Sequence, residues 1–182
     1  MASFQDTARN CRLLGAGFVS LGLAALSGVA LHGEAMAQTP GGADIVSWTV
    51  SAQSADNVKA GSKVDLTLRG VVENGWHVYG LEQPKTGPIP LRVTVDPGEV
   101  AAADGMVAAS APEKVFDPSF KLDTQYYERP FTVTVPVRVA ANASPGPHQI
   151  PVSVRFQTCN GKICHPPKTA RLSVPINVRK AD

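Results

Sequence analysis

Apolar and polar residues alternate through most of the chain after Gln38, and this period of two constrains the fold more than any other feature. Val64, Leu66 and Leu68 interleave with Asp65, Thr67 and Arg69. Leu91, Val93 and Val95 interleave with Arg92 and Thr94, and Phe131, Val133, Val135, Val137 and Val139 keep the same beat. So do Ile150, Val152, Val154 and Phe156, then Leu172, Val174, Ile176 and Val178. With Ile45 to Ala52 and Trp76 to Tyr79, the pattern predicts about seven strands, each with one buried face. No segment of this region shows a sustained helical period.

Turn signals separate the runs: Asn74-Gly75, Gly87-Pro88, Asp96-Pro97-Gly98 and Ser144-Pro145-Gly146-Pro147. Short alternating strands joined by such turns predict an all-β chain, an immunoglobulin-like antiparallel β-sandwich of about seven or more strands. Pro136, Pro151 and Pro175 fall inside strand patterns and cannot donate a ladder hydrogen bond, so their strands are expected at sheet edges or at bulges. Ala101 to Glu128 alternates weakly and holds several aromatics. It reads as a long connection of the kind that carries function.

The first residues follow another logic. Arg9 and Arg12 precede an uncharged apolar run, Leu13 to Leu31, and Ala35-Met36-Ala37 forms a small-x-small cleavage site. This predicts an export signal over 1–37 and one domain over 38–182, with Cys11 lost alongside the signal. The alternative is a retained anchor, because the run approaches the roughly 20 residues that span a bilayer. A net charge of +2 with no cluster of Lys or Arg argues against a nucleic-acid partner.

The remaining cysteines lie in Thr158-Cys159-Asn160-Gly161-Lys162-Ile163-Cys164-His165-Pro166-Pro167. Three chemistries suit them. A structural disulfide is natural in an exported domain, but so short a loop stabilises by only about 2 kcal/mol in the chain-entropy picture. A redox pair fits the surroundings, since Lys162, His165 and Lys168 place positive charge near the thiols and positive charge favours the attacking thiolate. A copper or zinc site would use Cys159, Cys164 and His165, with His77 as a further ligand.

Three stretches in this order resemble the N-terminal periplasmic domain of the DsbD thiol:disulfide interchange reductases: Gly75-Trp76-His77-Val78-Tyr79, Phe116-Asp117-Pro118-Ser119-Phe120 through Tyr127, and Phe156-Gln157-Thr158-Cys159 with Cys164-His165-Pro166-Pro167. The resemblance spans most of the chain after the signal. It implies an immunoglobulin-like domain that takes electrons from a membrane-embedded or thioredoxin-like donor and delivers them to periplasmic disulfide proteins without metal or organic cofactor. It implies that Cys164 is the nucleophile, Cys159 the resolving thiol, and Phe120 the residue that shields the sulfurs, with Phe116 as second choice. His77, Tyr79, Asp117 and His165 become active-site neighbours. Enterobacterial members carry tyrosine where His77 stands and acidic residues where Pro118 and Ser119 stand, and Asp117 is close enough to take over from those carboxylates. Because the sequence ends at Asp182, a separate protein is expected to supply the electrons. Two other functions stay open beside this one: the copper or zinc module, and a non-redox binding domain with a structural disulfide.

Overall fold

Every alternating run becomes a strand in the computed structural model, which describes residues 44–180. One sheet is ordered β1 (Val46–Ala52), β3 (Lys63–Val72), β10 (Phe131–Val139), with the short β6 (Ala101–Ala103) and β7 (Ala108–Ala109) both pairing along β10. The second is ordered β2 (Val58–Lys59), β13 (Lys168–Arg179), β11 (Gly146–Phe156), β5 (Arg92–Val95). All pairs are antiparallel except β2 with β13. The predicted signal and its apolar run lie outside the described residues. Among the described residues no helix is long and apolar enough to cross a membrane.

The core follows directly from the alternation. In β3 every second residue is buried, and Leu66 and Leu68 are wholly so. Val133, Val135 and Val137 from the first sheet and Val152, Val154, Val174 and Ile176 from the second join the same cluster. Each such side chain contributes about 1.5–3 kcal/mol by leaving water. The result is the expected antiparallel β-sandwich. Trp48 closes one end, its ring 5.5 Å from Phe131 of its own sheet and 5.5 Å from Phe156 of the other. Gly70 pairs with Trp48 on one side and Phe131 on the other. A Cβ there would lie 2.7 Å from the Phe131 ring, so the position admits only glycine without a shift.

The prolines correct one expectation. Pro136 and Pro151 lie in β10 and β11, which are inner strands rather than edges. Each faces a gap in its neighbour instead. The Pro136 carbonyl accepts from Asp104 between the two short pairings of β6 and β7, and the Pro151 carbonyl accepts from Asp96 just past the end of β5. Nitrogen and carbonyl of one strand residue point the same way, so the missing N–H falls where no ladder partner waits. Pro175 obeys the same rule, because β2 pairs only with Val178 and Arg179 of β13.

The segment from Ala101 to Glu128 also departs from expectation. Besides β6 and β7 it holds a hairpin, β8 (Glu113–Asp117) and β9 (Leu122–Tyr127). This hairpin extends a third sheet ordered β12 (Thr158–Cys159), β4 (His77–Tyr79), β9, β8. Its alternation is weak because β4 is buried on both faces, whereas β8 leaves Val115 and Phe116 exposed and buries Asp117. Tyr127 of this sheet stacks on Phe131 of the sandwich at 4.1 Å, which fixes the small sheet to the large fold.

Candidate functional site

Gln157 is where the chain leaves the sandwich and enters the third sheet. Its carbonyl accepts from the Tyr79 N–H, its Oε1 accepts from the Ile89 N–H at 2.8 Å, and its Nε2 donates to the His165 carbonyl at 3.2 Å. Cys159 follows two residues later, opposite His77 on β4. The chain then reverses sharply. Asn160 Oδ1 accepts from the N–H groups of Lys162 and Ile163, and Gly161 takes the left-handed φ of +78° that this turn requires. The His165 N–H returns to the Thr158 carbonyl, which sets Cys164 beside Cys159, and a disulfide joins them.

The two sulfurs stand in unlike surroundings. Cys159 is wholly buried, whereas Cys164 is only half-buried. The oxygen of Tyr79 lies 3.8 Å from Cys164 Sγ, and its hydrogen is donated to Asp117 Oδ2 at 2.6 Å. Asp117, itself buried, accepts with its other oxygen from the Ser119 N–H at 2.7 Å and the Phe120 N–H at 3.4 Å. One carboxylate therefore holds both the tyrosine and the turn between β8 and β9. That turn sets the Ser119 hydroxyl 3.8 Å from Cys159 Sγ and stands Phe120 edge-on to Tyr79, with ring centroids 5.8 Å apart. Lys121 closes it at φ +58°, a left-handed conformation that costs a non-glycine residue about 1 kcal/mol.

Burial drives the phenol of Tyr79 far above its ordinary range, and the bond to Asp117 pushes the same way, so Tyr79 stays protonated at any neutral pH. His77 is buried as well. It stacks on Tyr126 at 4.4 Å and meets Tyr79 edge-on at 5.0 Å. Desolvation lowers its pKa, opposed by the charges of Asp117 and Glu128, and its Nε2 has no hydrogen-bond partner.

Of the residues predicted for the site, Cys159, Cys164, His77, Tyr79, Asp117 and Phe120 come together. Phe116 does not. It is 59% exposed, because Asp117 next to it on β8 points inward. His165 packs against Trp76, its ring tilted and 4.8 Å away between centroids. Among the described residues no group of three or more His, Cys, Asp or Glu is placed to hold a metal ion. Three contributors escaped the sequence reading. The contact between Ser119 and Cys159 depends on a turn no periodicity announces, and the stack of Tyr126 on His77 depends on the pairing of β4 with β9. The role of Gln157 as a corner was signalled only by its place between two strand patterns.

A β-sandwich whose disulfide lies in a half-exposed turn at one end, against a tyrosine and a carboxylate, differs from sandwiches stapled between their sheets. The chain belongs to the family of the N-terminal domain of thiol:disulfide interchange protein DsbD, whose pattern matches residues 48–175. Among solved structures, the N-terminal periplasmic domain of ScsB from Proteus mirabilis is similar in fold, with a TM-score of 0.50 and 14% identity over 79% of this chain and 50% of that one. The major pilin subunit BcpA of Bacillus cereus is a more distant likeness, with a TM-score of 0.37 and 9% identity over 73% of this chain and 40% of that one. The chain thus spans half the length of the ScsB structure it matches. No curated protein sequence matches it.

Proposed function

We propose that the domain is a periplasmic thiol–disulfide exchange module whose Cys159–Cys164 bond takes two electrons from a thioredoxin-like or membrane-linked donor and passes them to disulfide-bonded proteins. The observation that carries this reading is the asymmetry of the pair: one sulfur is half-exposed beside a tyrosine, while the other is sealed. A structural staple has no need of that arrangement, and a ring this small adds only about 2 kcal/mol.

In the proposed cycle a donor thiolate attacks Cys164 Sγ. The Cys159–Cys164 bond breaks, its electron pair leaves on Cys159, and a mixed disulfide joins donor and Cys164. The donor's second thiolate then attacks the donor sulfur of that bond, which releases an oxidised donor and a thiolate on Cys164. Each of the two thiolates then takes up one proton, Cys164 from Tyr79 as Asp117 returns one to the phenol and Cys159 from water that enters while the partner is docked. The domain departs as a dithiol that delivers the pair by the same steps in reverse.

Tyr79 and Asp117 supply the proton path for Cys164. In the reduced domain the Cys164 S–H faces the phenol oxygen, and the phenol O–H faces Asp117. Passing one proton along each bond produces the Cys164 thiolate without ever requiring a free tyrosinate, which burial forbids. Phe120, seated on Tyr79, covers this path until a partner displaces the turn.

A Cys159→Ser variant tests the proposal, because Cys164 then has no internal partner to resolve an adduct. Expression in the periplasm should accumulate mixed disulfides on Cys164 that dithiothreitol releases and mass spectrometry identifies. A folded Cys159→Ser protein that forms no adduct would rule out exchange. A double Cys159→Ser, Cys164→Ser variant that still binds its partner would favour the non-redox binding domain.

A further inference from the structure

We infer that the Ser119 hydroxyl is the leaving-group donor for Cys159, so that each sulfur of the pair has its own hydroxyl and one carboxylate, Asp117, positions both. The inference rests on the exchange reading and adds a residue to it.

Cys159 is wholly buried, yet the first step of exchange leaves negative charge on its sulfur. A thiolate out of water must be met by a donor or its formation is opposed. Ser119 Oγ, at 3.8 Å, makes the one side-chain hydrogen bond of Cys159 Sγ among the described residues. In the disulfide neither sulfur carries hydrogen, so the serine O–H must be the donor. Tyr79 cannot serve here, because it lies against Cys164 and its single hydrogen is given to Asp117.

The placement of Ser119 is built. Its N–H is held by Asp117 Oδ1 at 2.7 Å, so the carboxylate that receives the Tyr79 proton through Oδ2 also aims the serine. During attack on Cys164 the electron pair moves onto Cys159 and the Ser119 hydrogen bond shortens toward it, while the serine keeps its proton. A hydrogen bond to a charged group is worth roughly twice a neutral one, so the bond is stronger in the transition state than in the disulfide. The adjacent Pro118 carries no N–H and can offer no competing donor.

The variant that tests this is Ser119→Ala, which keeps the N–H that Asp117 holds and removes only the hydroxyl. In a Cys11→Ser background, reduction of the Cys159–Cys164 bond by dithiothreitol should slow about tenfold, and Ser119→Thr should restore the rate to within about threefold. In a Cys11→Ser, Cys164→Ser background Cys159 is the single thiol. Its thiolate absorbance should then rise at higher pH in the Ser119→Ala variant than in the Ser119→Thr variant or in protein that keeps Ser119. An unchanged titration together with an unchanged reduction rate overturns the inference. If the disulfide resists dithiothreitol even with Ser119 present, the exchange reading fails, while the titration still decides whether Ser119 meets the Cys159 thiolate.

Discussion

The sandwich and the small sheet at its end obey opposite rules of burial. In β3 and β10, Val71 and Pro136 apart, polar residues face out and apolar residues and Gly70 face in, so position follows from apolar contact. In the third sheet His77, Asp117, Thr124 and Thr158 are buried beside Val78 and Tyr79. Apart from the unpartnered Nε2 of His77, geometry there is set by directional bonds: Tyr79 to Asp117, Asp117 to the Ser119 and Phe120 N–H groups, Gln157 to Ile89 and His165. The contrast teaches that apolar packing and directional polar bonding are housed separately. The core holds the fold, and the polar end holds two sulfurs in unequal settings.

The strongest break of this separation would come from Cys164→Ser. Transfer of electrons to a disulfide substrate should vanish, while thermal unfolding should show a loss of no more than about 2 kcal/mol, the worth of so short a ring. Leu68→Ala should do the reverse. It should lower stability by about 2–5 kcal/mol in urea unfolding and leave the rate of disulfide reduction on the folded protein unchanged.

Tyr79→Phe lies between the two. Loss of the proposed proton path should slow exchange about a hundredfold, as removal of a general acid–base group does. It also alters the response to alkali. A folded-state pKa raised above the ordinary value of 10.0 gives stability that is present below pH 10.0 and lost as pH rises toward the folded value. Tyr126 and Tyr127 are shifted in the same direction, so Tyr79→Phe should flatten the alkaline loss by one proton, about 1.4 kcal/mol per pH unit, and leave the rest.

Gly70→Ala sharpens the comparison on the sandwich side. Its methyl must displace Phe131 or Trp48, which should cost about 1–3 kcal/mol in chemical unfolding with no change in exchange. The smallest effect belongs to His77→Phe, which can keep the stack on Tyr126. The depressed histidine pKa gives stability that is present above its ordinary 6.5 and lost as pH falls through the folded value. The variant should therefore show a flatter loss of stability below pH 6.5 than the parent protein.

The sandwich was legible in the sequence because a two-layer fold writes burial as alternation, and all seven alternating runs are strands. The membership of the candidate site was legible as residue types: Cys159, Cys164, Tyr79, Asp117 and Phe120 stood in recognisable company, and the fold brings them together. What stayed hidden depended on strand pairing distant in sequence. The burial of His77 was not legible, because three consecutive buried positions in β4 erase the alternation that would place it. Phe120 ranked above Phe116 on the resemblance alone; the physical difference, Phe116 exposed beside an inward Asp117 and Phe120 edge-on to Tyr79, needed the course of β8. The prolines read as marks of edges or bulges, whereas gaps in neighbouring strands admit them to inner positions.

The reduction potential of the Cys159–Cys164 pair tests the central claim most directly. Equilibration with redox buffers of known potential, read by alkylation of free thiols, should place it within the range of exchange proteins, about −120 to −270 mV. A value below about −300 mV would mark the bond as a permanent staple and contradict the account.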